Sequence, residues 1–274
     1  MATTIASLCA DLREEAAALR ALVTDGPLTP DTPVPFMGWT ARDSIEHMVL
    51  IDRLATLALA DPFRAVEERA AFVRGTSSSA QPQARFRAIA DYETLRLGVL
   101  GWHQLLAAWD RGLDELCAAA LATGEDSRVE WFGGLMRAAS LVSARHMEVW
   151  AYGQDVFDAA KVARPDGARL RNVVEFGLKT FGFSFANRGE AVPPAKPFIT
   201  LTAPGGETWE WNDPASPERI TGIARDFCLV VTQRRHVDDT GLLVKGPMAR
   251  RWMEIAQCIA GPAMDGPRPV SARI

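Results

Sequence analysis

The sequence predicts a mainly helical α+β protein in two parts, a four-helix bundle over residues 1–163 followed by a small α+β domain over residues 164–274. Three observations carry this expectation. Leu95, Val99, Trp102, Leu106, Trp109, Leu113 and Leu116 recur three and four apart, the mark of a long helix packed at a shallow angle on its neighbours. The texture changes after "KVARPDGARLRN", which places a domain boundary there. Beyond it, "PFITLTAPGGETWEWND" alternates in the manner of strands around a Pro-Gly-Gly turn, which is the chemistry of a hairpin.

The elements follow in order. Ile5, Leu8, Leu12, Leu19 and Leu22 have helical spacing, with Asp11, Arg13, Glu14 and Glu15 on the other side, so the chain opens on an amphipathic helix. The Pro-rich "DGPLTPDTPVPF" ends it. In "GWTARDSIEHMVLIDRLATLALA" Thr40 caps a second helix and Asp43 returns the bond from the third position. "ERAAFVRGTSSSAQPQARF" is expected to be a partly mobile connection, because Gly, Ser and Pro cluster and no apolar period survives. The long third helix comes next, "ATGEDSRVEWFGG" stops it, and a fourth helix runs from about Met136 to Ala160. In the second part "SPERITGIARDFCLVVTQRR" is expected as a helix and "GLLVKG" as a short strand. "PMARRWMEIAQCIAG" is expected as a last helix with proline at its start and glycine at its end.

Composition narrows the function. Hydrophobic residues make up 48% and charged residues 23%, the proportions of an ordinary folded protein. A net charge of -4 with dispersed arginines offers no basic stripe, so no nucleic-acid partner is expected. Cys9, Cys117, Cys228 and Cys258 are far apart and read as buried thiols of a reducing cytoplasm. Acidic residues interrupt the N-terminal segment too early for a signal peptide or membrane span, so the expected location is cytoplasmic with no membrane partner.

Each of the four histidines is weighed singly. His47 shares a stripe with Ser44, Ile51 and Leu54, which turns its ring into the bundle. On the fourth helix Glu148 shares a stripe with Leu141, Ala144, Ala151, Tyr152 and Asp155. Residues four apart stack on a helix, so Glu148 and Tyr152 reach one point. A ligand pair on one helix and a single ligand on another can hold a divalent ion, although a lone bundle histidine is more often a hydrogen-bonded core residue. His146 lines up with Val142, Val149, Trp150 and Phe157, an equally apolar face, so periodicity leaves open which side looks inward. His103 flanks the seam of the third helix and reads as structural. His236 follows Arg234 and Arg235 where a helix runs out, as a cation complementing the helix dipole or as part of a carboxylate grip.

"GWTARDSIEHMV", "RVEWFGGLMRAASLVSARHMEVWAYGQDV" and "DFCLVVTQRRHVDDTGLLVKGPMARRWMEIAQCIAGP" together resemble the mycothiol-dependent maleylpyruvate isomerase family of actinobacteria, and the similarity spans nearly the whole chain. The resemblance implies a DinB-like metal-binding bundle followed by a small sterol-carrier-like α+β domain. It implies zinc or nickel held by His47, Glu148 and a second histidine one turn later, where this chain has Tyr152. A neutral phenol is a poor ligand, because binding requires losing a proton of pKa about 10. Three outcomes stay open: tyrosinate completes the site, Asp155 or water substitutes, or the metal is gone and Tyr152 serves as a hydrogen-bond donor or acid.

The reading that results is a mycothiol-dependent isomerase or thiol transferase acting on a small or medium organic acid, as a monomer or homodimer. Glu148 and Tyr152 would be catalytic, Arg234 or Arg235 would anchor the substrate carboxylate, and His236 and Asp155 would contact the cofactor. An alternative on the same scaffold is a metal-independent isomerase, cyclase or hydrolase. There Glu148, its pKa raised by burial, is the base and Tyr152 the acid. A third is a non-enzymatic small-molecule binding protein.

Overall fold

The structure, a computed structural model, describes residues 4–76 and 81–272. It divides into two compact units, Met1–Arg164 and Pro165–Ile274.

The first unit is helical, with α1 Ile5–Asp25, α2 Ala41–Ala60, α3 Pro62–Thr76, α4 Pro82–Leu97, α5 Trp102–Thr123 and α6 Ala138–Ala160. The bundle proper is α1, α2, α5 and α6, in which α2 packs on α5 and α1 on α6. Leu8, Leu12 and Leu19 of α1 and Leu105, Leu106, Trp109 and Leu116 of α5 are buried, so the leucine stripes make the core that drives the packing. Thr40 caps α2, with the Asp43 carboxylate accepting from the Thr40 backbone N–H at 2.8 Å. That box fixes where α2 starts, and with it the depth at which His47 enters the core.

Three expectations about this unit are corrected. The third helix does not begin at Leu95: Leu95 and Val99 are 79% and 98% exposed, and the chain breaks at Gly98, whose φ of +74° suits glycine. The seam that sequence periodicity traced belongs to α5 alone. The segment taken as a loose connection is largely helical, since α3 and α4 cover it on either side of residues 77–80, which lie outside the described residues. Its period was hard to see because α3 buries a mixed set, Ala65, Arg69, Phe72 and Thr76. Likewise "ATGEDSRVEWFGG" is more than a stop. It supplies β1 Arg128–Trp131, which pairs antiparallel with β2 Gly134–Arg137, so α6 starts at Ala138.

The second unit has α7 Leu170–Lys179, α8 Phe181–Ala186, β3 Phe198–Thr202, β4 Thr208–Trp211, β5 Arg219–Ile223, α9 Ala224–Val231, β6 Leu243–Lys245 and α10 Pro247–Ile255. Its sheet has the order β4-β3-β5-β6. The β3–β4 hairpin pairs Ile199 with Trp211 and Leu201 with Trp209, and it turns through Gly206 at a φ of +90°. Here too the structure corrects the sequence. Arg219–Ile223 is a strand parallel to β3 and only Ala224–Val231 is helical. The last helix stops at Ile255, six residues before Gly261. Helices α7 and α8 were not anticipated.

The four cysteines are buried and form no disulfide. Among the described residues no helix is long and apolar enough to cross a membrane.

Candidate functional site

The interior of the first unit holds a chain of ionisable groups. His47, from the second turn of α2, puts Nδ1 2.7 Å from the Glu93 carboxylate of α4, and Nε2 3.5 Å from the Glu148 carboxylate of α6. Arg145, one turn before Glu148, donates to that same carboxylate oxygen and, through Nε at 2.8 Å, to Asp52 of α2. The sequence Asp52, Arg145, Glu148, His47, Glu93 is thus a buried row of alternating charge. Arg145, Asp52 and Glu93 have side chains with no exposure, whereas His47 keeps 8% and Glu148 11%. What exposure the row keeps is therefore at His47 and Glu148.

Electrostatics follows from these contacts. Burial pushes the His47 pKa down, but Glu93 and Glu148 outweigh it and raise the value to about 9, so the ring is an imidazolium at neutral pH. Burial pushes Glu148 up, yet Arg145 and His47 together hold it at about 2. Asp52 and Glu93 go the other way: burial raises both, and neither Arg145 with His47 at Asp52 nor His47 at Glu93 offsets it. Asp52 Oδ2, Glu93 Oε2 and Arg145 Nη2 are buried with no hydrogen-bond partner among the described residues. A row built for stability alone would have satisfied them, because an orphaned buried polar atom costs about 1–3 kcal/mol.

Tyr152 closes the site with aromatic rings. Its ring centroid is 4.7 Å from that of His47, 5.4 Å from Phe36 and 5.4 Å from Trp39, on which it stacks at 23°. Trp39 is fixed in turn by donating its indole N–H to the Phe86 carbonyl at 2.9 Å. The Trp-Thr opening of α2 thus does two jobs, one residue capping the helix and the other orienting the phenol.

Not every residue singled out in the sequence joins this cluster. Asp155 is buried on α6. His146 is buried on another face of α6, 3.8 Å from Glu15 of α1, which is gripped by Arg164 at 2.6 Å. Both faces of α6 are interior, which is why periodicity could not choose between them. Arg234, Arg235 and His236 belong to the second unit. Arg234 donates to the Thr232 carbonyl at 2.6 Å and Arg235 to the Arg234 carbonyl at 2.7 Å, so both stitch the turn after α9. His236 does not complement a helix C-terminus, because α9 has already ended at Val231. It caps the short 3-10 helix Val237–Asp239 by accepting from the Asp238 N–H at 3.2 Å. His103 starts α5 at the second position and has no part in the site.

Sequence reasoning missed Glu93, Arg145, Asp52 and the Phe36–Trp39–Phe86 wall. Arg145 offered one signal, a charged residue inside an apolar helix. Glu93 gave none, since it falls between the expected connection, which ends at Phe86, and the apolar period that begins at Leu95.

The fit of a divalent ion can be tested on these donors. His47 Nε2 and Glu148 Oε2 have nearly the separation, about 3.3 Å, of two ligands on one tetrahedral ion, and Glu93 on Nδ1 is a proper outer-sphere partner. The rest disagrees. The Glu148 oxygen facing the imidazole already carries the Arg145 guanidinium, the third position is a phenol, and no group of three or more His, Cys, Asp or Glu suited to a metal occurs among the described residues. Two donors and a neutral phenol do not make a zinc or nickel site. The pKa raised by burial on which the base role of Glu148 was argued is not found, because Arg145 and His47 lower it instead.

Comparison with known proteins gives the lineage. A model of the mycothiol maleylpyruvate isomerase N-terminal domain family matches residues 9–157. Two uncharacterized proteins of Mycobacterium tuberculosis are each 37% identical over 259 residues, covering 94% of this chain and 96% of theirs. Crystal structures of the mycothiol-dependent maleylpyruvate isomerase and of a histidine-to-alanine mutant of it align over 89% of this chain and 95% of theirs. Their TM-scores are 0.54 and 0.52 at 13% and 15% identity, a likeness of fold.

Proposed function

The chain belongs to the family of the mycothiol maleylpyruvate isomerase N-terminal domain, and on that premise we propose that it is a mycothiol-dependent, isomerase-type enzyme acting on a small organic acid with no resident metal. The observation that carries this reading is the His47 ring held between two carboxylates, at the part of the buried row that keeps some exposure. Glu93 on Nδ1 fixes the ring plane and supports its charge, the arrangement that suits a histidine for moving a proton at Nε2. Glu148, kept ionised by Arg145, stabilises the imidazolium without competing for its proton.

Mycothiol, when bound, supplies a thiol nucleophile. Beside an imidazolium a thiol ionises more readily, so His47 can take the role that a metal cation would otherwise have. Tyr152, stacked on Trp39 beside the imidazole, shapes the apolar wall of the site and offers a hydroxyl.

The test is cis–trans isomerisation of maleylpyruvate followed by absorbance, with and without mycothiol and with and without chelator. Turnover is expected only with mycothiol and is unchanged by EDTA. Loss of turnover in EDTA overturns the metal-free part, and absence of turnover with or without thiol leaves a binding role. A companion prediction uses the remnant geometry: Tyr152→His, which adds a third imidazole or carboxylate donor beside a correctly spaced pair, gains stoichiometric zinc by metal analysis, whereas the parent protein binds at most weakly.

A further inference from the structure

Arg85 lies in the second turn of α4, half-buried at the rim of the same aromatic wall. Its guanidinium carbon is 5.9 Å from the Phe86 ring centroid. Phe86 in turn packs 4.7 Å from Phe36 and 5.9 Å from Trp39, the two rings that hold Tyr152. Its charge and the Tyr152 phenol are close enough to interact electrostatically. The contrast with its neighbours is informative. Arg87, two residues on, pairs with Asp43 at 3.1 Å and Asp91 at 2.8 Å, and Arg96 pairs with Glu68. Among the described residues Arg85 forms no ion pair, although it is less exposed than Arg87. Burial without a counter-ion lowers its pKa, yet a guanidinium stays charged in any protein setting. Withdrawing it from water without a carboxylate has a cost that a bound anion would offset.

We propose that Arg85 is an anion anchor of the bundle unit, binding a carboxylate of a small organic acid at its half-buried guanidinium beside Phe86. The inference rests on the functional reading above only for the class of ligand. It makes Arg85 a binding residue rather than a proton carrier, and it places an anchor in the same unit as His47, Glu148 and Tyr152. The fork of donors on a guanidinium matches a carboxylate in a bidentate manner, which a lysine at this position would not reproduce.

The experiment is calorimetric titration of the full-length protein with maleate, a dicarboxylate that needs no thiol and undergoes no reaction here. Maleate is expected to bind the parent protein. Arg85→Gln should weaken it about 10- to 100-fold, the loss of a charge-assisted contact of about 1.5–3 kcal/mol, and Arg85→Lys should recover only part. Arg96→Gln, which breaks the pair with Glu68 on the same helix, should bind as the parent does and so controls for damage to α4. Where turnover is measurable, Arg85→Gln raises KM with kcat little changed. Equal maleate affinity in the parent and Arg85→Gln overturns the assignment, and so does failure of the parent to bind maleate at millimolar concentration. Normal Arg85-dependent binding with no turnover under any condition would instead sink the isomerase reading and leave the anchor standing.

Discussion

Arg145→Ala lowers the unfolding free energy by about 3–5 kcal/mol in urea denaturation at pH 7. The guanidinium has no solvent exposure and stands between Asp52 and Glu148. Deleting it leaves two carboxylates near each other in a dry core, with no cation but His47 to offset them. Asp52 then takes up a proton and Glu148 rises toward or above its ordinary range, so part of the loss is recovered at acid pH. The remedy shows that the cost lies in the orphaned charge and not in the cavity. The triple replacement Arg145→Met, Asp52→Leu, Glu148→Gln is expected to regain most of the stability while abolishing activity, because buried ion pairs are costly to break yet replaceable by apolar side chains of similar volume. A loss below about 1 kcal/mol in the single variant, the range of a surface pair, would contradict the buried row.

His47→Gln removes the proton-carrying group and reduces kcat/KM by about 100- to 10,000-fold. It also changes how stability depends on pH, which gives a readout independent of substrate. The folded-state value of about 9 stands above the ordinary 6.5, so the contribution of His47 is fully present below pH 6.5 and is lost as pH rises through 9. The shift corresponds to a contribution on the order of 3 kcal/mol. Glu148 behaves oppositely: held at about 2 against 4.5, it contributes above pH 4.5 and loses that contribution as pH falls through 2. The difference in unfolding free energy between parent and His47→Gln should therefore shrink between pH 6.5 and 9. A difference independent of pH over that window would mean the ring is neutral in the folded protein.

Much of the scaffold was legible because single helices announce themselves. The Thr40–Asp43 box and the stripes of α1 and α5 are local patterns, set by residues within a few turns of one another. What failed was local too. The run from Leu95 to Leu116 has an unbroken apolar period, and only the backbone at Gly98 reveals that Leu95 and Val99 face water. Arg219–Ile223 was joined to the following helix because one strand without its partners carries little signal. Pairing with β3 on one side and β6 on the other makes it a strand.

The amino-acid order alone determined the family and the helical stripes and placed a tyrosine one turn after Glu148, because each is written in neighbouring residues. Tertiary structure decided what those residues do. Glu93 and Arg145 lie 46 and 3 positions from the groups they contact, His47 and Glu148. Only folding brings the first of these pairs within 2.7 Å and buries the second. Charge behaves according to its surroundings: the same glutamate that burial would protonate is kept ionised by a guanidinium and an imidazolium that the chain delivers from two helices. The sequence names these groups, but the desolvation and the distances that set their chemistry exist only once α2, α4 and α6 are packed.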